Sequence, residues 1–122
     1  MLSKCKRATN GTEGVKMKLG IVLYSNAPET IWNAFRLGVF SLKQEDSVTV
    51  FLLGNGVEAE SLDSGKFDVI GQMRSFSEAG GSILACGTCL KLRQSEGSDI
   101  CPVSTMQDLH ALIRDSDKVL SF

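Results

Sequence analysis

The sequence lacks a block of charge of one sign, and it lacks a long apolar run. Its 122 residues include 13 basic and 14 acidic side chains, which gives a formal net charge of -1. Nucleic acids and anionic lipids are held by dense positive charge, so neither is an expected partner. No apolar run approaches the roughly 20 residues that span a bilayer, and the N-terminus has no apolar signal-peptide core. We therefore expect a cytoplasmic protein without a membrane segment.

Cysteine is scarce, with only four residues, at positions 5, 86, 89 and 101. They are too few and too unevenly spaced for the disulfide framework of a small secreted protein, and a reducing compartment would keep them as thiols. We interpret these cysteines as reactive, metal-binding or simply buried. No pattern in the sequence assigns a role to Cys5.

The length and the 43% hydrophobic content suit one ordinary core. Residues 1–16 have few apolar side chains and no periodic pattern, so we expect them to form a flexible N-terminal tail. From residue 17 to residue 122 short apolar runs alternate with helical patterns. The sequence therefore predicts a single α/β domain over residues 17–122.

The alternation of the two patterns predicts the layout of the domain. Strands are expected over residues 19–24, 48–53, 82–86 and 118–122. Helices are expected over residues 27–44 after a cap at Asn26, from Phe67 to Gly80-Gly81, over residues 87–93, and after a cap at Ser104. Residues 58–66 are polar and are expected to form a surface loop. Such an order is typical of a mainly parallel sheet with helices on both faces, a three-layer α/β/α domain.

The first predicted helix carries more apolar side chains than one buried stripe requires. Between Ile31 and Leu42 they include Trp32, Phe35 and Phe40. One face must pack on the sheet, and the surplus indicates a subunit interface. The alternative is that neighbouring helices of the same chain cover the surplus.

Three predicted loops should meet at one edge of the sheet, because sites in parallel sheets gather at the carboxyl ends of the strands. The loops lie at residues 24–29, 54–57 and 86–89, and their candidate site-lining residues are Ser25, Asn26, Gly54, Asn55, Gly87 and Thr88. Cys86 ends a strand directly before a helix, where backbone amides and the helix dipole favour a thiolate. Cys86 is the candidate nucleophile, and a small buried hydrophobe is the alternative reading.

Cys89 completes a C-x-x-C pair with Cys86. One helical turn can bring the two sulfurs together, so Cys89 could resolve a sulfenate, disulfide or persulfide on Cys86, or it could simply pack inside the helix. With Cys101 and His110, the pair also offers enough ligands for a tetrahedral zinc, although the spacing differs from that of a zinc finger. Zinc bound by Cys86, Cys89, Cys101 and His110 is the metal alternative.

Nucleotide-binding motifs are not present. Ser64-Gly65-Lys66-Phe67 contains a Gly-Lys pair, but Glu60 stands where a phosphate loop needs glycine and Phe67 replaces the metal-binding hydroxyl. No G-x-G-x-x-G follows a predicted strand. We expect no cofactor.

The arrangement resembles the DsrE/DsrF-like family, which includes sulfurtransferase subunits of sulfur-relay systems. The resemblance extends from about Lys18 to Phe122 and is carried by LGIVLYS, VTVFLLGNGVEA and ILACGTCLKLR. It implies a flavodoxin-like domain that assembles as a homotrimer or hexamer. It also implies a persulfide on Cys86 that is passed between donor and acceptor proteins, whereas Cys89 departs from the single thiol of the sulfurtransferase members.

Three functional hypotheses follow. In the first, the protein is a sulfur-relay sulfurtransferase that accepts and passes sulfane sulfur on Cys86. In the second, Cys86 and Cys89 form a reversible disulfide in a thiol-disulfide redox protein. In the third, the chain is a non-catalytic oligomeric binding module in which the cysteines are incidental.

Overall fold

The computed structural model describes residues 16–122, except for the side chain of Asp63. The main sheet has five strands, β1 (Lys18–Leu23), β2 (Ser47–Leu52), β5 (Ser82–Cys86), β6 (Val103–Ser104) and β7 (Lys118–Ser121), and a separate antiparallel hairpin is formed by β3 (Asp63–Ser64) and β4 (Phe67–Asp68). The helices are α1 (Pro28–Lys43), α2 (Val69–Glu78), α3 (Gly87–Leu92) and α4 (Met106–Asp115), and a 3-10 helix spans Gly54–Ser61. Within residues 16–122 no helix is long and apolar enough to cross a bilayer.

The five strands of the main sheet lie in the order β6-β5-β2-β1-β7, and every neighbouring pair is parallel. All five carboxyl ends therefore point to the same edge of the sheet. The prediction of an α/β domain with a mainly parallel sheet is confirmed.

Side chains alternate between the two faces of the sheet, and each face has its own apolar cluster. One cluster joins α1 and α2 to residues such as Ile21, Val50 and Ile83. The other joins Leu109 and Leu112 of α4 to Val22, Phe51 and Cys86. Because neighbouring strand residues point to opposite faces, the two clusters enclose the sheet between two helical layers.

The first helix begins one residue later than expected and has a different cap. Ala27 occupies the N-cap position without a side-chain hydrogen bond, and Pro28 follows at the first helical position. The prediction that Asn26 caps the helix is wrong, because the Asn26 side chain donates a hydrogen bond to Glu58 instead. The Ser25 Oγ accepts from the Ala27 amide at 3.0 Å and fixes the turn before the helix.

Neighbouring elements of the chain cover much of the apolar surplus on α1. Phe76 of α2 packs edge-on against Phe35 with ring centres 5.4 Å apart, and Phe67 packs on Trp32 at 5.2 Å. Leu37 and Phe40 stay 38% and 61% exposed. Packing by α2 and β4 therefore covers part of the surplus and leaves these two side chains exposed.

Short elements differ from the sequence prediction. Phe67 belongs to β4 and not to the following helix, which starts at Val69 with Asp68 as its cap. The stretch predicted as a polar loop contains the end of the 3-10 helix and the strand β3. The cap of α4 is Thr105, since Ser104 belongs to β6 and its hydroxyl donates to Asp108 at 2.6 Å.

The predicted tail, residues 1–16, lies outside the described residues except for Lys16, whose amide donates to the Glu45 carbonyl at 3.1 Å. Cys5 is among the residues that are not described.

Candidate functional site

The three predicted loops meet at the carboxyl edge of the sheet. The Leu53 amide donates to the Leu23 carbonyl at 2.9 Å, so the chain leaving β2 runs directly against the end of β1. A Cβ on Gly56 would overlap the same Leu23 carbonyl, and only glycine allows this approach. The start of the 3-10 helix therefore lies against the end of β1, and this helix also packs on α3.

Cys86 is the last residue of β5 and the N-cap residue of α3, as expected. Its environment differs from the expected one, because its side chain makes no capping hydrogen bond with the helix amides. The thiol instead lies in the apolar cluster under α4, and Cys86 is only 3% exposed. The Cys86 thiol therefore lacks the hydrogen bond with the helix amides that was expected from the sequence.

Cys89 lies one helical turn after Cys86, packs against the same cluster and is less buried. Its Sγ accepts a hydrogen bond from the Gly54 amide at 3.2 Å. Burial raises the pKa of the Cys89 thiol, and the neighbouring Cys86 thiol raises it further, while the Gly54 amide opposes both effects. The C-x-x-C pair therefore consists of two neighbouring free thiols in one apolar cluster, with one backbone donor directed at the outer sulfur.

Arg93 follows α3 and joins the elements around Cys89. Its guanidinium donates to the Cys89 carbonyl at 3.0 Å, to Asn55 Oδ1 at 2.8 Å and to Glu58 Oε2 at 2.7 Å. Glu58 also accepts from Asn26 at 3.3 Å. The hydrogen bonds from Arg93 and then from Asn26 hold the pKa of Glu58 below its usual value. One network thus ties together the loops after β1, β2 and β5.

Sequence reasoning missed Arg93 and Glu58. The two residues are 35 positions apart, and no short motif joins them. A usable signal was present in α3, because Arg93 stands four residues after Cys89, on the same helix face. The predicted lining residue Asn55 belongs to the network, whereas Gly87 lies against Val103 and Ser104 of β6 and Thr88 is exposed.

The zinc alternative is not supported by the arrangement of its four residues. Cys86 lies in the cluster under α4, whereas Cys101 belongs to the cluster on the opposite face of the sheet, and His110 is exposed on α4. Across residues 16–122 no group of three or more histidine, cysteine, aspartate or glutamate side chains could hold a metal ion. The sequence spacing was misleading because it carries no information on sheet faces.

Cys101 borders a cleft of about 310 Å³ whose lining shares Glu58 and Arg93 with the network around Cys89 but includes neither Cys86 nor Cys89. Cys101 is 3% exposed. Burial raises the pKa of its thiol to about 12, and the negative charge of Glu60 adds to the shift. Such a thiol stays protonated at neutral pH and is a poor nucleophile.

The sequence matches a family profile and other known proteins. The sequence profile of the DsrE/DsrF-like family matches residues 17–122. An uncharacterised protein of Methanocaldococcus jannaschii is 29% identical over 110 residues, covering 83% of this chain and 96% of that protein. An uncharacterised protein of Methanopyrus kandleri is 28% identical over 110 residues, covering 83% of this chain and 91% of that protein.

Solved structures share the fold. The YchN protein of E. coli superposes with a TM-score of 0.75 at 22% identity, covering 88% of this chain and 100% of that chain. A conserved protein of unknown function from Bacteroides thetaiotaomicron superposes with a TM-score of 0.69 at 20% identity, covering 86% of this chain and 94% of that chain.

Proposed function

Because this chain belongs to the DsrE/DsrF-like family, we propose that it is a sulfur-relay protein that carries sulfane sulfur as a persulfide on Cys86. The observation that carries the proposal is the pair of neighbouring free thiols at the carboxyl edge of the sheet, with the Gly54 amide on the outer sulfur. Sulfur transfer between thiols needs no cofactor and no net oxidant.

The transfer consists of displacements at sulfur. A thiolate of the pair attacks the terminal sulfur of a donor persulfide, so that a new S–S bond forms, the donor S–S bond breaks and the donor leaves as a thiolate. The acceptor thiolate later attacks the terminal sulfur in the same way, which releases the cysteine as a thiolate. Electrons and atoms balance in each step, and the protein returns to its starting state.

The difference in exposure supports different roles for the two thiols. Cys86 is 3% exposed, and Cys89 is the less buried of the pair. We place the first attack on the donor at Cys89, followed by attack of the Cys86 thiolate on the terminal sulfur of the Cys89 persulfide. The apolar surroundings of Cys86 then protect the carried sulfur from water and from stray thiols.

Intact-protein mass spectrometry after incubation with a small persulfide donor tests the proposal. Wild-type protein is expected to gain one sulfur atom that a reductant removes. Cys86→Ser should lose the long-lived adduct, and Cys89→Ser should load more slowly. Cys101→Ser is the matched control and should load like the wild type. A sulfur adduct that persists undiminished in the Cys86→Ser/Cys89→Ser double variant would overturn the assignment.

The same pair of neighbouring thiols favours one second candidate, a thiol-disulfide redox protein. A disulfide substrate would be attacked by one thiolate and released as two thiols, while Cys86 and Cys89 become joined. The mass experiment separates the two functions, because this reaction removes two hydrogens and adds no sulfur. It requires both cysteines, so either single variant would abolish it.

The assembly and the location of the protein are further parts of the proposal. We propose a homotrimer or hexamer that uses the exposed side chains of Leu37 and Phe40 on α1. Free thiols in a working pair suit the reducing cytoplasm, where we place the protein, with donor and acceptor proteins as its partners.

A further inference from the structure

Arg93 makes contacts on both sides of the Gly54–Cys89 hydrogen bond. On the α3 side its Nη1 donates to the carbonyl of Cys89 itself. On the side of the 3-10 helix its Nη2 donates to Asn55, the residue after Gly54, and its Nε to Glu58 one turn later. Each nitrogen of the guanidinium thus has its own acceptor.

Gly54 needs this support because its backbone is unusual. Its φ of +58° lies in the left-handed region, which glycine adopts without strain but also leaves easily. The direction of the Gly54 amide therefore depends on how firmly the following residues are held. Asn55 is exposed, and in the structure its side chain is held by Arg93.

We propose that Arg93 is a positioning residue that holds the 3-10 helix against α3 so that the Gly54 amide meets the Sγ of Cys89. Its relevance to sulfur transfer rests on the proposed function, in which Cys89 makes the first attack. The planar guanidinium group is essential to this role, since the compact ammonium group of a lysine cannot donate to three acceptors in these directions. The positioned amide stabilises negative charge on the sulfur when Cys89 attacks and when it leaves.

Two substitutions distinguish positioning of the Gly54 amide by Arg93 from a direct effect of the Arg93 charge on Cys89. The Gly54 amide and the charge of Arg93 both lower the pKa of Cys89 against the larger effect of burial. If only charge mattered, Arg93→Lys would leave the pKa of Cys89 unchanged, and Glu58→Gln would lower it by removing a nearby negative charge. If the guanidinium group positions the amide, both substitutions loosen the 3-10 helix and both raise the pKa.

The experiment is the pH dependence of Cys89 alkylation by iodoacetamide, with the modified position located by fragmentation mass spectrometry. Arg93→Lys and Glu58→Gln are expected to raise the midpoint by about half a pH unit, a roughly threefold loss of thiolate at neutral pH. Arg114→Lys is the matched control, because Arg114 pairs only with the exposed Asp115 among the described residues, and its midpoint should equal that of the wild type.

Two results would overturn the proposal: a wild-type midpoint in Arg93→Lys, or a lowered midpoint in Glu58→Gln. Thermal unfolding is measured beside each variant, and should Arg93→Lys not fold, Asn55→Ala decides, since it removes a single exposed contact and is expected to raise the midpoint. The probe contains no sulfane sulfur. Failure of the wild type to take up sulfur would therefore refute the proposed function alone, and unchanged midpoints would refute the role of Arg93 alone.

Discussion

At the scale of single residues, Cys101 makes the free energy of unfolding depend on pH in the alkaline range. Its thiol has a pKa of about 12 in the folded protein, against 9.0 for the ordinary group. Between these values the unfolded chain loses a proton that the folded chain keeps, so the stabilisation is complete below pH 9 and is lost as the pH rises towards 12.

The expected slope from this group is at most about 1.4 kcal/mol of unfolding free energy per pH unit. Urea denaturation at several values between pH 8 and pH 11 measures it, and Cys101→Ala should show a shallower decline than the wild type. The comparison of slopes is needed because lysine and tyrosine side chains titrate in the same range. Parallel slopes in the two proteins would contradict the assignment.

The residues of the candidate site were only partly predictable at this scale. Cys86 and Cys89 were proposed as candidates because a strand end and a three-residue spacing are local features of the sequence. Arg93 and Glu58 were not, because their pairing depends on how the 3-10 helix settles against α3. Burial of Cys86 was named only as the alternative to a nucleophile, since sequence places a residue at the end of a strand but does not show what α4 covers.

At the scale of elements, the packing of α1 on α2 depends on a glycine. A Cβ on Gly38 would lie 2.7 Å from Cε1 of Phe76, and a Cβ on Gly81 would crowd the other side of the same ring. Phe76 is fully buried and packs against Phe35, so the ring has no room to retreat.

Gly38→Ala is therefore expected to lower the free energy of unfolding by about 1–2 kcal/mol, because overpacking outweighs the gain of roughly 1 kcal/mol in helix propensity. Gly65→Ala is the control, since a Cβ there meets nothing within 4 Å, and its stability should stay near that of the wild type. Urea denaturation at neutral pH measures both variants. A stability of Gly38→Ala equal to or above that of the wild type would contradict the prediction, because the overpacking would then cost no more than the gain in helix propensity.

Element length decides which parts of the architecture a sequence reveals. The strands β1, β2 and β5 and the helices α1 and α4 carry runs long enough to show a period, and they were predicted within a few residues. The strands β3, β4 and β6 have two residues each. Two residues show no period, so these strands exist because their neighbours are already in place.

At the scale of the whole molecule, the parallel sheet followed from the alternation of strands and helices, because parallel strands need crossover connections. The meeting of three loops at one edge followed from the same rule. The separation of Cys86 and Cys101 onto opposite faces did not, since C-x2-C-x11-C reads as one cluster until the strand register is known.

The surface of α1 gives a prediction about assembly. Phe40 is 61% exposed and Leu37 lies one turn earlier at 38%, on the helix whose Trp32 and Phe35 already pack against the β3-β4 hairpin and α2. Exposed apolar surface of this kind is unfavourable in water. Its burial between subunits would stabilise an oligomer.

Native mass spectrometry of the wild type is expected to show a trimer or hexamer, and Phe40→Glu should shift the population to smaller species by placing a charge in the contact. Ile113→Glu is the matched control, because Ile113 is 51% exposed on α4, on the opposite side of the sheet, and its assembly should not change. Dissociation by Ile113→Glu alone would move the interface to α4. A monomeric wild type would instead leave Leu37 and Phe40 as a surface for the donor or acceptor protein.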